Sequence, residues 1–141
     1  MKLLTTLNED FKAIIIEVGT IKQCIFDDLS SINADSQADY PLLLVKPPLE
    51  DGLDEDRTFE FTQCNMDLFL FDTHFSDKET EWISTYDDCR ELLIESLKKL
   101  FAMHPKYVLV GNLKITPGHM EHNANLIAAR AQFKLRVYNG C

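Results

Sequence analysis

Long hydrophobic runs, paired cysteines and clustered glycines are all absent from this sequence. No apolar run approaches the roughly 18 residues of a membrane-spanning helix, and the opening MKLLTTLNEDF turns polar before the apolar core of a secretory signal is complete. We therefore expect neither a membrane span nor a secretory signal. The cysteines are widely separated and form no CxxC pair: Cys24, Cys64, Cys89 and Cys141. Their spacing predicts reduced thiols, the first three of them as small core residues.

Catalytic sequence motifs are absent as well. The chain contains no G-x-S-x-G, no G-x-x-x-x-G-K-[ST] and no G-x-G-x-x-G, and its five glycines do not cluster. The usual signatures of serine hydrolases, P-loop nucleotide hydrolases and dinucleotide-binding enzymes are therefore missing. We expect a protein that is not an enzyme and that uses no cofactor.

The histidines offer a further, metal-dependent chemistry. His119, Glu121 and His122 follow a Pro-Gly pair where a hairpin loop is expected. A metal-dependent hydrolase would need further ligands there, and the sequence positions none. His74 follows Asp72 at the end of a predicted strand, with no nucleophile pattern beside it. We interpret both places as polar loops and predict no metal site, which elemental analysis of the purified protein would test.

Charge is divided unevenly along the chain. The formal net charge is −9; residues 1–100 carry −13 and residues 101–141 carry +4. Binding to nucleic acid requires a concentrated positive surface, so an acidic chain with a basic end is a poor candidate for it. The same division favours charge-complementary contact with a protein, such as another copy of this chain.

Periodicity predicts one α+β domain over residues 1–141, a length that buries enough surface to fold without a disulfide or a metal. Apolar residues at helical spacing over residues 3–18 predict an N-terminal helix that ends at Gly19. Ser76 and Glu79 have the spacing of a capping box, and a long central helix is predicted over residues 77–102. An apolar stripe marks its core-facing side: Trp82, Tyr86, Cys89, Leu93, Leu97 and Leu100.

Four or five strands are predicted, in one antiparallel sheet packed by the two helices. The predicted strands are a short one at 40–45, a long one at 58–72 with a bulge near 63–65, one at 107–116 that ends in a Pro117-Gly118 turn, and a strongly alternating one at 127–137. Residues 49–57 are predicted to form a solvated acidic loop. Residues 20–29 fit a continuation of the first helix or a strand, and the strand is favoured. The order is α-(β)-β-β-α-β-β.

The last predicted strand carries a row of cations on its polar side. Arg130, Lys134 and Arg136 alternate with apolar residues, and Gln132 lies among them. An ordinary solvent-exposed strand face accounts for this pattern. Equally, the row is suited to docking on the acidic surface of a neighbouring copy or partner, where charge pairing sets register and partner choice.

The pattern of elements resembles the tail-completion and tail-terminator proteins of tailed bacteriophages, which are small α+β proteins of the head–tail connector. The segments that carry the resemblance are Tyr40–Val45, Phe59–Leu68, Phe75-Ser76-Asp77, the helix with Asp87-Asp88 and Leu92-Leu93, and the strand Phe133–Tyr138. The segment Ile21–Leu29 resembles a strand and turn found in relatives from phages of gut bacteria. The resemblance covers most of the chain.

The resemblance implies a structural virion protein, assembled in the host cytoplasm, that forms a six- or twelvefold ring at the head–tail junction or in the tail. Such a ring joins portal or connector proteins to tail proteins, and DNA passes through its lumen without specific binding. The family has no catalytic residues. A closed ring needs two different surfaces that fit each other, and the uneven charge suits that requirement.

We place the hypothetical subunit interface on oppositely charged groups. Arg130, Lys134 and Arg136 would face acids of the 50–56 loop or of the central helix, namely Asp54, Glu55, Asp56, Asp87 and Asp88. The alternative function, from another class, is a small acidic cytosolic binding module such as an adaptor, an inhibitor or an immunity-type protein. Native mass separates the two because only the first forms a ring.

Overall fold

The computed structural model describes residues 2–27, 39–53, 60–73, 79–120 and 123–138. These residues form two helices and one six-stranded sheet. In chain order the elements are α1 (Leu3–Val18), β1 (Gln23–Phe26), β2 (Leu42–Val45), β3 (Leu49–Leu53), β4 (Phe61–Thr73), α2 (Glu79–Phe101), β5 (Tyr107–Met120) and β6 (Asn123–Tyr138). The α+β fold class, with an N-terminal and a central helix on a mostly antiparallel sheet, is confirmed.

The sheet has the strand order β1-β2-β4-β6-β5, and β3 also pairs with β4. β1 runs parallel to β2, and every other pairing among these strands is antiparallel. β2 and β3 both pair with the same edge of β4. β2 lies opposite residues 68–71, and β3 lies opposite residues 62–65. The long strands β4, β6 and β5 therefore form the centre and one edge of the sheet.

The ambiguous segment after α1 contains strand β1 at residues 23–26, and residues 28–29 lie outside the described part of the chain. Gly19 stands at the C-cap of α1 with a φ of 81°, and its N–H donates to the carbonyl of Ile15 at 3.0 Å. A left-handed residue ends a helix in this way, and glycine adopts that conformation without a steric penalty. The chain can then pair residues 23–26 with β2, so the favoured strand interpretation is confirmed.

Both helices cover one face of the sheet, which we call the inner face. Leu7, Phe11 and Ile14 of α1 and Cys89, Leu93 and Leu97 of α2 are buried there. The strands meet them with side chains of one parity: Leu43, Val45, Cys64, Met66, Leu68, Leu70, Ala129, Ala131, Phe133, Leu135 and Val137. The alternation predicted for the last strand is the reason for this packing, because every second residue of β6 points to the same side.

A second apolar cluster lies on the opposite face, which we call the outer face. Its buried members are Leu42, Leu44, Phe69, Phe71, Leu126 and Ala128. All four residues of β2 are therefore buried, on alternating sides, which explains why that strand is a continuous apolar run. The end of β4 is apolar on both faces for the same reason.

The structure corrects two predictions about the region before and within β4. Leu49–Leu53 is not loop but strand β3, which adds one strand to the predicted number. The predicted bulge near residues 63–65 is wrong, because β4 pairs with β6 without interruption from Phe61 to Thr73. The irregularity lies in β3, between Glu50 and Gly52. The change of apolar parity along β4 arises from burial on two faces, and a bulge is not needed.

The predicted turn at Pro117-Gly118 is also wrong. Both residues lie inside β5, opposite Ala129 and Ala128 of β6. β5 is an edge strand, where the missing N–H of a proline leaves no ladder partner unsatisfied. The strand continues to Met120, so the hairpin with β6 is longer than the sequence indicates.

The apolar stripe of α2 is buried along most of its length. Cys89, Leu93, Leu97 and Leu100 are buried, whereas Trp82 retains 36% of its exposure. The prediction that Trp82 faces the core is corrected: it lines an apolar groove of about 260 Å³ with Pro117, Gly118 and Ile127 of the β5–β6 hairpin. The predicted capping box at Ser76, the start of that helix at residue 77 and His74 lie outside the described residues.

Candidate interaction surface

The outer face of β4, β6 and β5 collects the polar residues of these strands. The register places Asp67 opposite Gln132 and Asn65 opposite Lys134, and Lys114 of β5 lies opposite Gln132 on the other side of β6. These side chains share one face because residues two apart along a strand point the same way. The polar half of the last strand therefore faces away from both helices.

This part of the outer face is predominantly basic. Four cations lie on it: Lys114, Arg130, Lys134 and Arg136. Asp67 is the one acidic side chain that the described residues of β4, β5 and β6 place there. The three cations predicted from the sequence are thus brought onto one surface, together with a lysine from the neighbouring strand.

Asp67 and Arg130 form a two-pronged ion pair within the chain. Arg130 donates from Nε to Oδ1 at 2.9 Å and from Nη2 to Oδ2 at 2.7 Å. Its guanidinium also lies 5.1 Å from the centroid of the Phe69 ring. The hydrogen bonds to the carboxylate raise the pKa of Arg130 above its ordinary value. Arg130 is therefore fixed in orientation, and Asp67 largely neutralises its charge.

A groove of about 530 Å³ lies beside this ion pair. Lys46, Asn65, Asp67, Lys114 and Gln132 contribute to its lining, and Leu49 lies at the same groove with 73% exposure. Lys46 Nζ is 3.8 Å from Asp67 Oδ2, a separation at which two partly exposed charges attract each other only weakly. We call this feature the outer groove.

The two other cations of β6 and a lysine of β5 lie on the same face. The Arg136 guanidinium lies 5.2 Å from the centroid of the Phe61 ring, a cation–π arrangement on the outer face. Lys134 lies between Asn65 of β4 and Val110 of β5 and is partly exposed. Lys114 is exposed and forms no ion pair with a residue that the structure describes.

The acids predicted on the central helix lie on the other side of the molecule. Asp87 and Asp88 are exposed on α2, as are Glu91 and Glu95. At 100° per residue, Asp88, Glu91 and Glu95 lie opposite the buried side of α2. We call these three residues the acidic stripe. Asp54, Glu55 and Asp56 lie outside the described residues.

Sequence reasoning missed three residues of this surface: Lys46, Asp67 and Lys114. The charged Asp67 interrupts an apolar stretch of β4. Its position in the sequence indicates that its carboxylate has a partner on the same face of the sheet. Its partner could not be identified, because pairing of β4 with β6 joins positions 63 residues apart in the sequence.

A search of protein-family models returned no match, and neither did a search of curated proteins.

The described residues offer no metal-binding group of three or more His, Cys, Asp or Glu side chains. Of the residues considered for a metal, Glu121 and His122 lie outside the described residues, and His119 lies in β5 opposite Ile127. None of the described helices is both long enough and apolar enough to cross a membrane.

The three described cysteines are core thiols, as predicted. Cys64 and Cys89 are buried, and Cys24 packs against the same core. Burial raises the pKa of Cys24 and of Cys64 to about 11 and that of Cys89 to about 12. The thiolate is the reactive form, so these groups are poor nucleophiles at neutral pH.

Proposed function

We propose that this protein is a ring-forming structural adaptor of a tailed-phage virion, located at the head–tail connector or in the tail. One observation supports this proposal above others: opposite charges occupy opposite layers of the domain. The outer face of β4, β5 and β6 is basic. The acidic stripe lies on the side of α2 that points away from the sheet. A copy with two such surfaces can bind the next copy head to tail, and this kind of contact closes a ring when the rotation between successive copies divides a full turn.

In this proposal the protein acts by burying surface between subunits, with no chemical step. The ring joins portal or connector proteins on one side to tail proteins on the other. A chain with a net charge of −9 has little affinity for passing DNA, because like charges repel.

The alternative, a small acidic adaptor, inhibitor or immunity-type protein, uses the same acidic stripe against a basic partner. It predicts a monomer or a dimer, because nothing in that role requires a closed assembly.

The native mass of the purified full chain tests the proposal. Light scattering and native mass spectrometry are expected to give six or twelve times the 16.2 kDa of one chain, and negative-stain micrographs to show annular particles. A monomer or dimer at every accessible concentration would favour the acidic binding module instead. Micrographs of a phage that carries the gene, labelled with an antibody against the protein, are then expected to show label at the neck or tail.

A further inference from the structure

The outer groove has a lysine on each side of an acid that is already paired within the chain. Arg130 already holds Asp67 through two hydrogen bonds, so the acid in the groove is neutralised from within the chain. Lys46 remains partly exposed at 3.8 Å from the same carboxylate, and Lys114 is exposed on the far side of the groove. Two amide side chains, Asn65 and Gln132, add hydrogen-bonding groups between the lysines.

The separation of the two lysines follows from the strand order. The backbone N–H of Lys46 donates to the carbonyl of Asp67, so Lys46 lies beside β4, and Lys114 lies two strands further, on β5. The steps from Lys46 to β4, from β4 to β6 and from β6 to β5 each span one strand spacing of about 4.8 Å. The backbones of the two lysines are therefore about 14 Å apart. Both side chains are long and flexible, so their ammonium groups can approach each other within that span.

The acidic stripe has a length that the two flexible lysine side chains can span. Asp88 and Glu95 are seven residues apart on α2, which is about 10.5 Å along the helix axis. Glu91 lies between them and pairs loosely with Arg90 at 3.8 Å, both side chains being well exposed. A helix laid across the strands can therefore present Asp88 to one lysine and Glu95 to the other.

We propose that the outer groove of one copy binds the acidic stripe of α2 from a second copy, through Lys46 and Lys114. This inference rests on the proposed function and gives it a specific contact surface. Each chain carries both halves of the contact on opposite layers, so the association is head to tail and can propagate around a ring. Leu49, exposed beside the lysines, packs against the incoming helix. Arg130 acts by holding Asp67 and does not bind the second copy directly.

Charge reversal at the groove tests the contact in the full chain. Lys46→Glu with Lys114→Glu is expected to weaken self-association at least tenfold in sedimentation velocity. The matched control is Lys12→Glu with Lys22→Glu, since both of these lysines are exposed outside the groove and the control has the same net charge. The control is expected to assemble like the wild type.

A charge swap makes the test independent of folding defects. Asp88→Lys with Glu95→Lys is expected to block assembly alone, whereas an equimolar mixture with the groove variant is expected to assemble. In that mixture each interface pairs opposite charges again, either natural or reversed. A mixture that stays dissociated overturns the inference, as does a stripe variant that assembles normally.

The outcomes separate this inference from the proposed function. If the wild type forms rings and the groove variant forms the same rings, the groove contact is wrong and the ring function stands. If the wild type is monomeric at all concentrations, both are wrong.

Discussion

A buried tyrosine, an aspartate and a lysine connect α1 to the start of β5. The hydroxyl of Tyr107, whose side chain is completely buried, donates to the carboxylate of Asp10. Lys106 Nζ lies 2.7 Å from the same Asp10 oxygen. Burial and the neighbouring carboxylate raise the pKa of Tyr107 above its ordinary value, so it remains a neutral donor. The cluster compensates the burial of polar groups between the N-terminal helix and the edge of the sheet.

Replacing Tyr107 by Phe is expected to lower the free energy of unfolding by about 1–2 kcal/mol, since it removes a hydrogen bond to a charged group and leaves the carboxylate partly unsatisfied. The urea midpoint measures the change. Tyr138→Phe is the control, because Tyr138 is exposed and its ring contact with Phe61 survives the substitution. Equal midpoints for the two variants would show that the Tyr107 hydroxyl contributes little.

Strand β5 contains two glycines with different structural roles. Gly111 has a φ of 74° and lies where the pairing of β5 with β6 shifts register, between Val110 and Lys114. A side chain there would meet no atom within 4 Å, so only the backbone conformation requires glycine. At Gly118 an added Cβ would meet ordinary contacts at 3.6–3.8 Å from Ala128, Arg130 and Phe69.

The two positions therefore predict different responses to the same substitution. Gly111→Ala is expected to cost about 1–2 kcal/mol, because an L-residue is forced into the left-handed region. Gly118→Ala is expected to change stability by less than about 0.5 kcal/mol. Thermal unfolding of both variants measures the difference. If Gly111→Ala unfolds at the wild-type temperature, the register shift of β5 does not depend on that glycine's conformation.

At the scale of the whole molecule, charge separation between layers should govern self-association. The proposed contact pairs exposed lysines with exposed carboxylates, and salt screens such pairs. An interface made mainly of apolar surface would not weaken as the salt concentration rises, since salt does not weaken hydrophobic burial.

Raising the salt from about 0.1 M to about 1 M shortens the screening length from about 10 Å to about 3 Å. We expect the association constant to fall roughly tenfold, equivalent to losing two surface pairs of up to about 1 kcal/mol each. Sedimentation equilibrium across this range measures it. An association of the wild type that strengthens with salt would contradict the electrostatic contact. The groove variant provides the control, because salt screens its like-charge repulsion and should strengthen its residual association.

The sequence by itself determined the elements whose apolar residues have a clear period. Helix α1 matches its prediction at both ends, because one apolar face and a left-handed glycine define it. The inner side of β6 was also predictable, since strict alternation fixes which residues are buried. The position of Arg130, Lys134 and Arg136 on one face follows from the same alternation.

Only the tertiary structure decided where two faces of the sheet are both buried and which distant residues meet. Burial of the apolar outer cluster changes the apolar parity along β4, and this change led to the wrong prediction of a bulge. A Pro-Gly pair by itself predicts a turn, but Pro117 is compatible with a strand because β5 lies at the edge of the sheet. Pairing of β4 with β6 joins Asp67 to Arg130, and the strand order adds Lys46 and Lys114 to the same groove. The alternation of apolar and polar residues determines which face of its strand each residue occupies. The neighbours of that residue across the sheet depend on strand order and register, and both arise from packing of the whole chain.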